Sequence, residues 1–157
     1  MYVVFGATGQ TGSAVADALL EKNQLVRVVL RSNKTAAAWR AKGADVVFAD
    51  VSDLETMTNA MRNAIAVYAM NPPAYQAADM FTVAKNIGAA YVEAIAQSSV
   101  QKVVLLSSVG SQHATGTGNI MTTYFLENIF SDLTIPVAFL RAAGFMENWN
   151  GVAAIAA

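Results

Sequence analysis

A doubly wound α/β domain built on a parallel sheet is the fold class this sequence predicts, and three observations predict it. Short β-branched runs alternate with longer stretches of helical periodicity along the chain. The connections between them are short, which implies right-handed crossovers between parallel strands with helices on both faces. The first strand runs into GATGQTG at residues 6 to 12, a glycine-spaced turn of the kind that opens the first helix of such sheets.

The elements follow in order. Tyr2-Val3-Val4-Phe5 is the first predicted strand, and residues 10 to 22 are the first helix. LVRVVL at 25 to 30 is the second strand; a helix at 34 to 42 follows it, with Gly43 where a left-handed residue commonly ends one. DVVFA at 45 to 49 is the third strand. Ser52-Asp53, with Glu55 and Thr56 just behind, resembles the cap and acidic first turn of a helix at 53 to 62. IAVYA at 65 to 69 is the fourth strand, and the helix at 76 to 97 is the most strongly patterned. There Met80, Ala84, Ile87, Tyr91 and Ile95 recur at spacings of three and four, marking a face for the core or a helix partner. KVVLLS at 102 to 107, a helix at 120 to 132 and IPVAFL at 135 to 140 complete the set. The expected strand order is 3-2-1-4-5-6.

Composition supports one domain over residues 1 to 157. The chain has 157 residues, 55% hydrophobic and 13% charged, so much of it must be buried. A net charge of −1 provides no basic field for nucleic acid and no polybasic segment for an anionic membrane. Cysteine is absent, which excludes disulfides and thiolate metal ligands and suits a reducing compartment. One histidine and no clustered carboxylates leave metal binding without support. The N-terminus has no basic segment or cleavage signal, and no apolar run approaches the roughly 20 residues of a membrane helix. A soluble, cytoplasmic protein is the simplest expectation.

In a doubly wound sheet the first βα turn lies where the strand order reverses, so GATGQTG sits where a ligand reaches the strand ends. Gly6 allows a sharp exit from the strand, Gly9 a close backbone approach to a pyrophosphate, and Gly12 close packing of the first helix. The helix N-terminus adds free N–H groups and partial positive charge. A ligand-free tight turn is the competing reading, and the strand before and helix after weigh against it. The residue after the second strand decides which dinucleotide fits. LRSNK at 30 to 34 carries no acid to accept from ribose hydroxyls. Arg31 instead places a planar cation where a 2′-phosphate would lie, with Ser32, Asn33 and Lys34 to assist, so NADP(H) is expected over NAD(H).

Other positions support two readings each. Asp50-Val51 either borders an adenine ring or begins the cap at Ser52-Asp53. Met70-Asn71-Pro72-Pro73 either borders the ribose and nicotinamide or is a rigid turn. His113, the single histidine, either donates a proton to a substrate oxygen or is a solvated loop residue.

GATGQTG, Arg31, Asp50-Val51, the NPP loop, SSVGSQHATGTG after strand five and LRAAGFMENW after strand six occur in this order. Together they resemble the NmrA-like, atypical short-chain dehydrogenase/reductase family, and within it the quinone-oxidoreductase-like members that bind NADP(H). The resemblance implies a Rossmann domain with the cofactor across the strand ends. It puts the loop of Gly6, Thr8, Gly9, Gln10, Thr11 and Gly12 on the pyrophosphate and Arg31 on the 2′-phosphate. By the same match Met70, Asn71, Pro72, Ser107, Gly144 and Phe145 border the nicotinamide half, and Glu127 and Glu147 fall on acidic positions of the family pattern.

Two departures qualify that likeness. The wider superfamily's catalytic Tyr has a Lys four residues later, whereas Tyr124 is followed at that spacing by Asn128. NmrA-like proteins share this lack, and some sense dinucleotide without turnover. Family members are also about twice as long, with most of the substrate pocket in the C-terminal half. The chain, ending in apolar GVAAIAA, is therefore expected to be the N-terminal part of a longer protein. Two functions follow: an NADPH-dependent oxidoreductase acting on a quinone or similar conjugated carbonyl, or a non-catalytic NADP(H) sensor that contacts a partner protein, with a homo-oligomer also possible.

Overall fold

The computed structural model describes residues 1 to 146. Six parallel strands form one sheet in the order β3-β2-β1-β4-β5-β6, as the sequence predicts. They are β1 (Tyr2–Phe5), β2 (Val26–Leu30), β3 (Asp45–Phe48), β4 (Ala66–Ala69), β5 (Lys102–Ser108) and β6 (Val137–Ala142). Five helices connect them: α1 (Gln10–Glu21), α2 (Ala36–Ala41), α3 (Leu54–Ala60), α4 (Met80–Ala96) and α5 (Met121–Ser131). No described helix is long and apolar enough to cross a membrane.

Period-two alternation divides the strands between two cores. Val3, Phe5, Val67, Val103 and Leu105 face α3, α4 and α5 and pack with Met57, Ile87, Tyr91, Leu126 and Phe130. Val4, Val28, Leu30 and Tyr68 face α1 and α2 and pack with Ala16 and Trp39. On this second face an open apolar groove of about 610 Å³ runs over β4, β5 and β6, beside Leu19 and Leu140. Tyr91 is fully buried, edge-on to Phe5 with ring centroids 5.0 Å apart. Its hydroxyl donates to the Met70 carbonyl at 3.4 Å, tying α4 to the loop that leaves β4.

Several element boundaries move from their expected places, among them those of α4, α2 and β6. Helix α4 starts at Met80 and not at residue 76, because the Asp79 carboxylate accepts from Phe81 N–H at 2.9 Å and Thr82 N–H at 3.1 Å and so caps it. The expected helix at 34 to 42 begins as a 3₁₀ turn over Asn33–Thr35 and becomes α-helical at Ala36. Strand β6 runs from Val137 to Ala142 and not from 135 to 140, because pairing with β5 continues through Ser107↔Arg141 and Ser108↔Ala142. A charged residue reads locally as the end of a strand, and the partner strand overrides that preference.

Candidate functional site

The three glycines of the first turn have different geometries. Gly6 leaves β1 at φ +73°, which glycine adopts without strain, and its carbonyl accepts from Gly9 N–H at 2.9 Å. A Cβ on Gly12 would lie 2.3 Å from that same carbonyl oxygen, so the first turn of α1 rests directly on the exit of β1. Gly9 has extended backbone, φ −98° and ψ 170°, and a Cβ there would make only ordinary contact at 3.5 Å. No side chain caps α1 and no acid sits in its first turn. The N–H groups of Gln10, Thr11 and Gly12 therefore keep the unmet donor capacity and partial positive charge of a helix start.

This helix start opens on a cavity of about 500 Å³ at the C-terminal ends of β1, β4, β5 and β6, where the strand order reverses. Of the residues singled out in the sequence, the fold brings Gly9, Gln10, Thr11, Met70, Asn71, Ser107, Gly144 and Phe145 to its walls. Gly6 and Gly12 shape the turn from beneath. Thr8 is exposed outside the cavity, and Pro73 takes the place expected of Pro72 in its lining. Tyr75, Asn119, Ile120, Thr122 and Thr123 also line it and were not singled out from sequence; Met80, expected on the core-facing side of α4, lines it as well. The Asn71 Oδ1 atom is buried with no hydrogen-bond partner among the described residues.

Arg31 stands exposed one residue beyond β2, with no carboxylate among the described residues in salt-bridge contact with it. Asp50 follows β3 on the same side of the sheet. The Ser52 hydroxyl and N–H donate to Asp50 Oδ1 at 2.6 and 2.9 Å; these bonds, outweighing slight burial and helped by the charge of Arg31, hold its carboxyl below the usual range. The helix cap is Asp53, which accepts from Thr56 N–H at 3.2 Å. Asp50 thus closes the turn before the cap, and Val51 packs against the core beside it.

His113 is exposed, its ring 3.1 Å from the Gln112 amide, and it does not line the cavity. Tyr124 is half-buried, edge-on to Phe125 at 5.6 Å, while the Asn128 amide donates to the Tyr124 carbonyl at 3.0 Å. Neither residue of this pair lines the cavity. Glu147 lies outside the described residues.

A buried polar network behind the β5 wall is the feature least visible in the sequence. Ser107 is 4% exposed and Glu127, on α5, 6%. The Ser107 hydroxyl donates to Glu127 Oε1 at 2.5 Å, and Arg141 on the paired strand donates to Oε1 at 2.9 Å and to Oε2 at 2.6 Å. Burial alone would push the Glu127 carboxyl up; the Arg141 and Ser107 hydrogen bonds and the Arg141 charge outweigh it and hold the group below the usual range. Ser111 lies 3.0 Å from Ser107 and 2.6 Å from Thr123 Oγ1. The available signal was periodicity: Ser107 continues the buried Val103, Leu105 register of β5, while Arg141, itself exposed, follows the half-buried Val137 and Phe139 on β6. A polar residue such as Ser107 in a buried register implies a partner across the sheet or on the helix above.

A six-stranded parallel sheet of this order, with a glycine turn and cavity at its reversal point, defines a Rossmann-type α/β domain. The chain belongs to the NmrA-like family, whose sequence pattern matches residues 2–157. Solved structures share its fold. Triphenylmethane reductase from Citrobacter sp., complexed with NADP(H), has a TM-score of 0.83 at 20% identity over 98% of this chain and 53% of its own. NADPH-dependent quinone oxidoreductase from Escherichia coli, complexed with NADPH, has a TM-score of 0.80 at 23% identity over 99% and 53%. A nucleoside-diphosphate-sugar epimerase from Staphylococcus aureus has a TM-score of 0.81 at 19% identity over 96% and 53%. The chain thus spans about half the length of these structures.

Proposed function

We propose that this chain is the NADP(H)-binding part of an oxidoreductase that transfers hydride to a quinone or a similar conjugated carbonyl. The observation that carries the reading is the uncapped start of α1, seated by Gly12 on the Gly6 carbonyl and open to the 500 Å³ cavity. Donors without partners, a helix dipole and a glycine-shaped approach together fit a pyrophosphate. Arg31, free of a described carboxylate partner, fits a 2′-phosphate. The NADP(H) complexes of the Citrobacter and Escherichia coli enzymes support the same choice.

Bound NADPH supplies hydride from its nicotinamide ring. The chain's own contribution is to hold that ring against the acceptor and keep water out, through the apolar walls around Met70, Met80, Leu106 and Phe145. A quinone needs little more, because its reduced oxygens have phenol-like acidity and take up a proton without a dedicated strong acid. This agrees with a cavity that neither Tyr124 nor His113 lines.

That same lack favours a second reading, a non-catalytic NADP(H) sensor. Titration with NADPH and NADP⁺ together with NADPH oxidation over a quinone panel separates the two. Turnover is the expected result; tight binding with no turnover in the full-length protein selects the sensor. In the same titration Arg31→Glu is expected to weaken NADPH by at least about a hundredfold while changing NADH by less than about threefold. Equal losses for both dinucleotides would remove Arg31 from the 2′-phosphate.

A further inference from the structure

The loop between β4 and α4 holds an aromatic side chain that the fold does not use. Tyr75 is 68% exposed, belongs to neither core cluster and joins none of the described aromatic pairs. A single exposed aromatic carries no meaning by itself, and two further observations give this one a meaning. The first is place: Met70 and Met80, at the two ends of the loop, line the cavity, and Tyr75, midway between them, lines it too. The second is fixation. Pro72 and Pro73 have preset φ angles before it, the Ala77 N–H donates to the Ala74 carbonyl at 3.0 Å around it, and the Asp79 cap anchors the start of α4 after it. An aromatic ring held ready at the rim of a cavity loses little freedom on meeting a flat ligand.

We propose that Tyr75 is a stacking platform for the hydride acceptor and selects fused-ring quinones over single-ring ones. The inference rests on the quinone reading above and deepens it. On that reading the dinucleotide enters from the start of α1 along the strand ends, its nicotinamide occupies the cavity floor, and the acceptor ring lies against it to receive hydride. A single ring in that position stays at the floor. A second, fused ring extends outward to the rim, where the electron-rich phenol of Tyr75 stacks offset on the electron-poor quinone system. Tyr75 touches the acceptor and not the cofactor, so it sets which quinone binds without entering the hydride transfer itself.

The test measures quinone binding to the full-length protein saturated with NADP⁺, where no turnover intervenes. The probes are dimethylnaphthoquinone, with two fused rings, and duroquinone, whose single ring carries methyl groups in place of the second ring. Wild-type protein is expected to bind the two-ring probe about tenfold more tightly, the gain of one aromatic stack. Tyr75→Ala and Tyr75→Leu are expected to reduce that preference to less than about threefold, and Tyr75→Phe to retain it. NADP⁺ affinity is expected to change by less than about twofold in all three variants, which lose no core contact and fold as wild type does. A merely structural loop residue would leave the ratio between the two probes unchanged. Wild-type binding without preference, a preference that survives Tyr75→Leu or is lost in Tyr75→Phe, or a loss of NADP⁺ affinity in Tyr75→Ala overturns the platform; reduction of either probe by NADPH then keeps the quinone reading standing. Neither probe bound and neither reduced overturns both.

Discussion

Gly12→Ala is expected to destabilise the protein by roughly 3 kcal/mol or more and to abolish measurable NADPH binding. The added methyl would sit 2.3 Å from the Gly6 carbonyl oxygen, 2.4 Å from its carbon and 2.9 Å from the Ala7 nitrogen, all of them backbone atoms of the turn. No side chain can rotate away to relieve this. Helix α1 must lift from β1, and the donor geometry at its start goes with it. Gly9→Ala is the informative companion. Its backbone is extended and its methyl would make ordinary contact, so stability is expected to stay within about 0.5 kcal/mol of wild type. Its NADPH affinity is expected to fall about tenfold, because the methyl occupies the face by which backbone approaches phosphate. Denaturant titration and NADPH binding on both variants check the pair. Wild-type affinity in Gly9→Ala would remove the pyrophosphate from this loop.

The second large effect is expected at Glu127. Its carboxylate is nearly enclosed, holds Ser107 and Arg141, and joins α5 to the last two strands of the sheet. Glu127→Ala is expected to cost about 3 kcal/mol, at the low end for a broken buried pair because Arg141 can turn to water while Ser107 loses its acceptor. Arg141→Met is expected to be harmful by a different route, since it leaves a buried carboxylate without its cation. The folded-state pKa of Glu127 lies below its ordinary value. Its stabilisation is therefore complete above the ordinary glutamate range and is lost as pH falls through the folded value. The stability gap between wild type and Glu127→Ala should narrow on acidification in parallel urea titrations. A gap that stays constant with pH would mean that packing, and not the charge, is responsible.

Much of the fold was legible because it follows from local rules. Each strand is a β-branched run, the α4 face is a repeat at three and four, and Gly43 ends α2 at φ +91° as its position suggested. Where local rules failed, a specific partner had decided the matter. Asp79 bonded forward to Phe81 and Thr82 and delayed α4, although Gln76, Ala77 and Ala78 favour helix. Strand β5 extended β6 across Arg141. In the site, the glycine turn was legible from its order after a strand, whereas the role of Glu127 was not. An acidic residue on a helix looks the same in sequence whether it meets solvent or a serine and an arginine from two strands.

The sequence by itself determined the parallel sheet, its strand order and the position of the glycine turn at the reversal point, because periodicity, turn chemistry and crossover handedness act over a few residues or follow one general rule. Only the tertiary structure decided that Gly12 and not Gly9 bears the steric load. It alone gathered the ends of four strands around one cavity and turned the Ser107 proton onto Glu127. These depend on atoms brought together from residues far apart in the chain, where tenths of an ångström and a single shared proton separate one outcome from another.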